Sequence, residues 1–152
     1  MLFNKFCIQQ LHIDHPGVKN MKTYEQVSAM LSEIIDDVPP ELLDGLTGGV
    51  ILSEDVKLHP ESKPGKPLYI MGEYHRDMLG RTIFIYYGSF NVVYGYLDNV
   101  SFRKRLKHTF SHELRHHLEM LSGIKDLEKY DAQKLGMYNS GIDIAGFNEP
   151  PI

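Results

Sequence analysis

Four of the chain's eight histidines, His108, His112, His116 and His117, fall within ten residues. Two of them frame His112-Glu113-Leu114-Arg115-His116, an HExxH run. Around it Leu106, Phe110, Leu114, Leu118 and Leu121 recur at helical spacing, so the run must be accommodated on a helix. Residues four apart on a helix share one face about a turn apart, and both imidazoles can then reach one ion. Glu113 is offset by one position, which directs its carboxylate to a water beside the ion. A histidine pair satisfied on a helix surface or in a core is the bland alternative. Against it, an HExxH arises by chance in roughly 3% of sequences of this length and composition, before any helix is required.

Two histidines leave a third ligand to find. Ser122-Gly123 breaks the helix, and Ile124 to Leu135 resumes helical spacing. If the second helix folds back antiparallel, reflecting position 114 about a turn at 122–123 lands on Asp131. Asp131 also interrupts the apolar stripe Ile124, Leu127, Leu135, and a carboxylate on an inward face wants a cation or a partner. Glu128 shares part of that face and is one rival; Asp126, close to the turn, is another. Glu119 lies seven beyond His112, placed either to orient His116 or to pair with Arg115. His108 reads as an exposed helix histidine and His117 as hydrogen-bonded structure.

The rest of the pattern indicates an α/β chain of the α+β kind. Thr23 and Gln26 form a capping box ahead of Val27, Met30, Leu31, Ile34 and Ile35. Pro40 suits the first turn of a short helix. Val50-Ile51-Leu52, Leu68 to Met71 and Arg81 to Tyr87 read as strands, the last rich in β-branched and aromatic residues. Gly88-Ser89 is expected to end that strand, with a helical turn over Asn91 to Tyr96. Asp98, Asn99 or Ser101 can cap the long helix. Residues 1–20 form an unpatterned prefix ending in the turn signal His15-Pro16-Gly17, and Met21 is a candidate start. The domain spans 21–135, and 136–152, ending in Pro150-Pro151, reads as a loose tail.

Composition narrows the setting. Sixteen basic against twenty acidic residues, net −4, does not favour nucleic acid, and the run Arg103-Lys104-Arg105 with Lys107 reads as a solvated helix face. One cysteine, Cys7, allows neither an internal disulfide nor a cysteine zinc cage. No signal peptide and no membrane-length apolar run are visible. A cytoplasmic protein is expected.

With these residues in view, the chain resembles the minimal zincins, small bacterial metallopeptidase-like domains. The resemblance runs from about Thr23 to Leu135. It rests on Val38-Pro39-Pro40-Glu41-Leu42-Leu43, Gly49-Val50-Ile51-Leu52, Ile83-Phe84-Ile85-Tyr86 and above all His112-Glu113-Leu114-Arg115-His116-His117. It implies a single domain with a small mixed sheet packed on the HExxH helix. The family pattern HExxHxxGxxD makes the aspartate the third ligand. Here Glu119 stands where the glycine should be, and Gly123-Ile124-Lys125-Asp126 repeats the Gly-x-x-Asp four residues later. Transfer of the motif therefore names Asp126, while helix geometry names Asp131.

What the resemblance implies is a zinc metallopeptidase acting on a peptide or protein, with Glu113 as general base and His112, His116 and a downstream carboxylate on the metal. An edge strand, Arg81–Tyr87 or a neighbour, would hold the peptide by strand addition. Tyr86, Tyr87, Tyr130 or His75 would supply an oxyanion donor. The alternative is a metal-stabilised interaction or regulatory domain without turnover, since so small a domain has little wall with which to shape a cleft.

Overall fold

The structure is a computed structural model that describes residues 3–11, 21–123 and 126–144. The turn signal His15-Pro16-Gly17, Ile124 and the Pro150-Pro151 end lie outside the described residues. In chain order the elements are β1 (Phe3–Gln10), α1 (Tyr24–Asp36), a 3-10 turn (Pro40–Leu43), β2 (Gly49–Ser53), β3 (Lys57–Leu58), β4 (Leu68–Asp77), β5 (Gly80–Tyr86), α2 (Tyr87–Tyr94), α3 (Asn99–Ser122) and α4 (Asp126–Asn139). The fold is α+β. Its mixed sheet has the order β1-β4-β5-β2, with β3 also on β4; β2 and β5 run parallel and the other pairs antiparallel.

Local signals place the helices. Thr23 Oγ1 accepts from Gln26 N–H while Gln26 Oε1 accepts from Thr23 N–H, so two exposed donors at the start of α1 are satisfied reciprocally. Asp98 caps α3 through Ser101 N–H at 2.7 Å. At the other end Gly123, with φ +77°, supplies the left-handed residue that closes the helix.

Alternation along β5 sorts the two sides of the sheet. Ile83 and Ile85 join Met71 and Tyr74 against Val27, Leu31 and Ile34 of α1, Phe90 and Val93 of α2, and Phe102, Leu106, Phe110 and Leu114 of α3. Phe84 and Tyr86 belong to a second cluster with Ile8, Leu68, Ile70, Tyr138 and Ile144. Among the described residues no helix is long and apolar enough to cross a membrane.

Three boundaries differ from the sequence expectation. The prefix supplies β1, which pairs with β4 along its whole length. Its apolar run Phe6-Cys7-Ile8 is too short to show a period, and it becomes a strand because β4 offers an open edge. The tail is held as far as 144: α4 continues to Asn139, Tyr138 accepts from Lys63 N–H and donates to the Lys66 carbonyl, and Ile144 is buried. The strand ends at Tyr86, just before Gly88-Ser89 as expected, but the helix expected over Asn91 to Tyr96 starts earlier, so Gly88-Ser89 lie in the first turn of α2. A Cβ at Gly88 would lie 2.7 Å from the Asp55 backbone, so glycine there permits close packing.

Candidate metal centre

α3 carries His112, Glu113 and His116 on its buried side, and α4 folds back across Ser122-Gly123 to bring Asp131 to them. The His112 and His116 Nε2–H groups both point at one oxygen, Asp131 Oδ2, at 3.2 and 2.7 Å. The rings stand 4.9 Å apart at 71°. Both imidazoles are buried and Asp131 is half-buried. Burial alone would raise the Asp131 pKa, but hydrogen bonds and charge from the two histidines outweigh it and hold the carboxyl below its ordinary range.

The three donor atoms lie within 4.8 Å of one another. Ligands at zinc distances on a tetrahedral ion are separated by roughly 3.4 Å, so this set of two nitrogens and a carboxylate oxygen suits zinc in both type and spacing. Asp126 begins α4 and is exposed; Glu128 sits one turn before Asp131 along a neighbouring cavity. Neither belongs to the histidine–carboxylate cluster. The mirror argument, rather than the displaced Gly-x-x-Asp, names the carboxylate that the fold delivers.

Glu113 is fully buried, and the Sγ of Cys7, a ring nitrogen of His112 and a Glu113 carboxylate oxygen lie within 4.8 Å of one another. Sequence reasoning set Cys7 aside with the prefix. Its signal was indirect, a lone thiol donor within the short apolar run of a segment that shows no period.

Glu119 does not orient His116. One of its oxygens accepts from Arg115 Nε at 3.2 Å and the other from Leu127 N–H at 3.0 Å. It therefore ties the end of α3 to the first turn of α4 and helps aim the helix that carries Asp131. His108 is exposed, as expected. His117 donates from Nε2 to the Asp44 carbonyl at 2.7 Å and accepts at Nδ1 from Tyr74 OH at 2.9 Å. Burial lowers the His117 pKa and pushes Tyr74 up to about 12.

Strand Arg81–Tyr87 cannot take a peptide by strand addition. Its structural counterpart β5 is paired on both edges, by β4 and β2. The edge strand beside the metal centre is β1, and α4 lies along it, with Lys134 Nζ donating to the Ile8 carbonyl at 2.9 Å. Between β1 and α4 is a cavity of about 190 Å³ lined by Phe6, Ile8, His59, Glu128, Asp131, Ala132 and Leu135. Three of the four oxyanion candidates are engaged elsewhere: Tyr86 with Glu73, Tyr87 with the Lys22 carbonyl, and His75 with Asp77. Tyr130 is carried by α4 next to Asp131.

No family model and no curated protein matches the sequence. Among solved structures, a conserved hypothetical protein from Thermus thermophilus is 34% identical over 78% of this chain and 97% of its own, with a TM-score of 0.58. This chain belongs to the family of that protein. Identity at that level over nearly the whole of the relative shows common ancestry as well as the shared α+β fold. The relative's description names no activity, so chemistry is argued from the site itself.

Proposed function

We propose that the protein is a zinc-dependent metallopeptidase of the minimal zincin type, cutting peptide bonds in a peptide or protein substrate. The observation that carries this reading is the convergence of His112 Nε2 and His116 Nε2 on Asp131 Oδ2 beside the buried Glu113 carboxylate. His112, His116 and Asp131 would hold the ion. When bound, zinc would polarise the substrate carbonyl and lower the pKa of a water towards ~7. Glu113 takes the proton from that water and returns it to the leaving amine, the work of a general base that then acts as acid. Its helical offset from the histidines would set it beside a bound ion rather than among its ligands. A lone, buried cysteine is compatible with a reducing, cytoplasmic setting.

The test is Glu113→Gln in zinc-loaded protein, read by metal content and by cleavage of an unstructured substrate such as casein. The variant should keep about one zinc per chain, because the ligands remain, and lose cleavage by about 10²–10⁴-fold. Zinc lost along with Glu113, or cleavage undiminished in the variant, would overturn the assignment.

A further inference from the structure

We propose that Cys7 is a fourth protein donor to the metal, delivered by β1, and that this strand holds the centre in a closed, latent form. The inference rests on the metal-binding reading of His112, His116 and Asp131 but not on turnover.

Three observations lead to it. First, Cys7 pairs with Gly72 in the β1–β4 ladder, and paired residues project to the same face of a sheet. At Gly72 that face is pressed against α3: a Cβ there would lie 2.8 Å from Thr109 Cγ2 and 3.2 Å from Glu113 Cγ. The absence of a side chain at Gly72 lets α3 approach the backbone, so the Cys7 thiol reaches the helical turn that carries His112 and Glu113. Second, the ladder is irregular between Cys7 and Ile8. The pairing steps from Gly72 to Ile70, so the extra residue is Met71 of β4, and Cys7 keeps its place opposite Gly72 on the α3 face. Third, Cys7, His112 and Glu113 form a buried donor group, separate from the His112–His116–Asp131 set but joined to it through His112. Three donors on a tetrahedral zinc leave one position, and thiolate is among the ligands zinc prefers.

The strand's place in the sheet gives this a consequence. A peptide adding to the sheet beside the metal centre would pair with the β4 edge, and β1 already holds that edge in antiparallel register. Lys134 secures β1 from the other side through the Ile8 carbonyl. β1 thus lies where an extended substrate would lie, with its thiol beside His112 and Glu113. With a metal bound, Cys7 would ligate as the thiolate, and the Glu113 carboxylate beside it would hold the proton that the thiol gives up. Release of β1 would return that proton to sulfur and leave the fourth position to water.

Cobalt(II) substitution of the full chain tests this without relying on activity. Wild-type protein should bind one equivalent of cobalt with a near-ultraviolet thiolate-to-cobalt charge-transfer band, and Cys7→Ser should still bind cobalt without that band. Cobalt bound by wild type with no thiolate band would overturn the inference and leave the metal site standing. No cobalt bound at all would overturn both. A second measurement needs no variant. Reaction of wild-type Cys7 with a disulfide reagent should slow when zinc is added and recover with a chelator; a rate indifferent to zinc would also overturn the proposal. If the open form is held below one molecule in ten, Cys7→Ser should cleave casein at least roughly tenfold faster than wild type.

Discussion

Replacing Asp131 by alanine is the perturbation that most sharply separates helix geometry from motif transfer. Asp131 Oδ2 is where both imidazoles point, and it is the one anionic donor of that set. Zinc sites with four protein ligands are worth about 10–16 kcal/mol at neutral pH, or roughly 2.5–4 kcal/mol per donor. Each 1.4 kcal/mol is tenfold, so Asp131→Ala should weaken zinc binding by about 10²–10³-fold. Asp131→Asn keeps the shape and one acceptor oxygen but loses the charge, and should fall between wild type and alanine. Asp126→Ala, at the exposed start of α4, should stay within about tenfold, below the 10–100-fold seen when a group supporting a ligand is lost. The assay is competition for zinc against a chromophoric chelator at neutral pH, with circular dichroism to verify that each variant is folded. Asp126→Ala losing 10²-fold or more while Asp131→Ala stays within tenfold would refute the reasoning and give the ligand to the displaced Gly-x-x-Asp.

Two further outcomes follow from the packing. Gly72→Ala inserts a methyl 2.8 Å from Thr109 Cγ2, and overpacking of this kind costs about 1–3 kcal/mol, which for a chain of this size lowers the melting temperature by roughly 2–12 °C; an unchanged melting curve would show that α3 does not press on the sheet there. Tyr74 and Tyr86 are both pushed up to about 12, in each case first by burial, and for Tyr86 also by the Glu73 carboxylate it bonds. Because the folded form resists ionisation, their contribution to stability is complete below the unfolded value near ~10 and is lost as pH rises from there through 12. A spectrophotometric phenol titration should show these groups ionising late and with unfolding; all nine tyrosines titrating together near pH ~10 in a folded protein would contradict the burial.

Much of this protein is local and therefore legible in the sequence. The capping box at Thr23 and Gln26, the Asp98 cap and the glycine at 123 set helix ends through bonds that span three or four residues. The i, i+4 spacing of His112 and His116 puts two imidazoles on one face whatever surrounds them. Even the choice of Asp131 needed only a helix, a break and a second helix, since reflection about Ser122-Gly123 uses the helical rise and nothing else. The remainder depends on pairings between distant segments, to which no local period points. Arg81 to Tyr87 has the composition of a strand, but composition does not say that β4 and β2 will take both its edges and bar it from a substrate. Phe6-Cys7-Ile8 shows no alternation worth reading, and it is a strand because β4, more than sixty residues later, leaves an edge for it. Glu119 could not be assigned to Leu127 N–H until α4 had a position. The meeting of Cys7 with His112 and Glu113 lies furthest from the sequence, since it requires the β1 register and the missing side chain at Gly72 together.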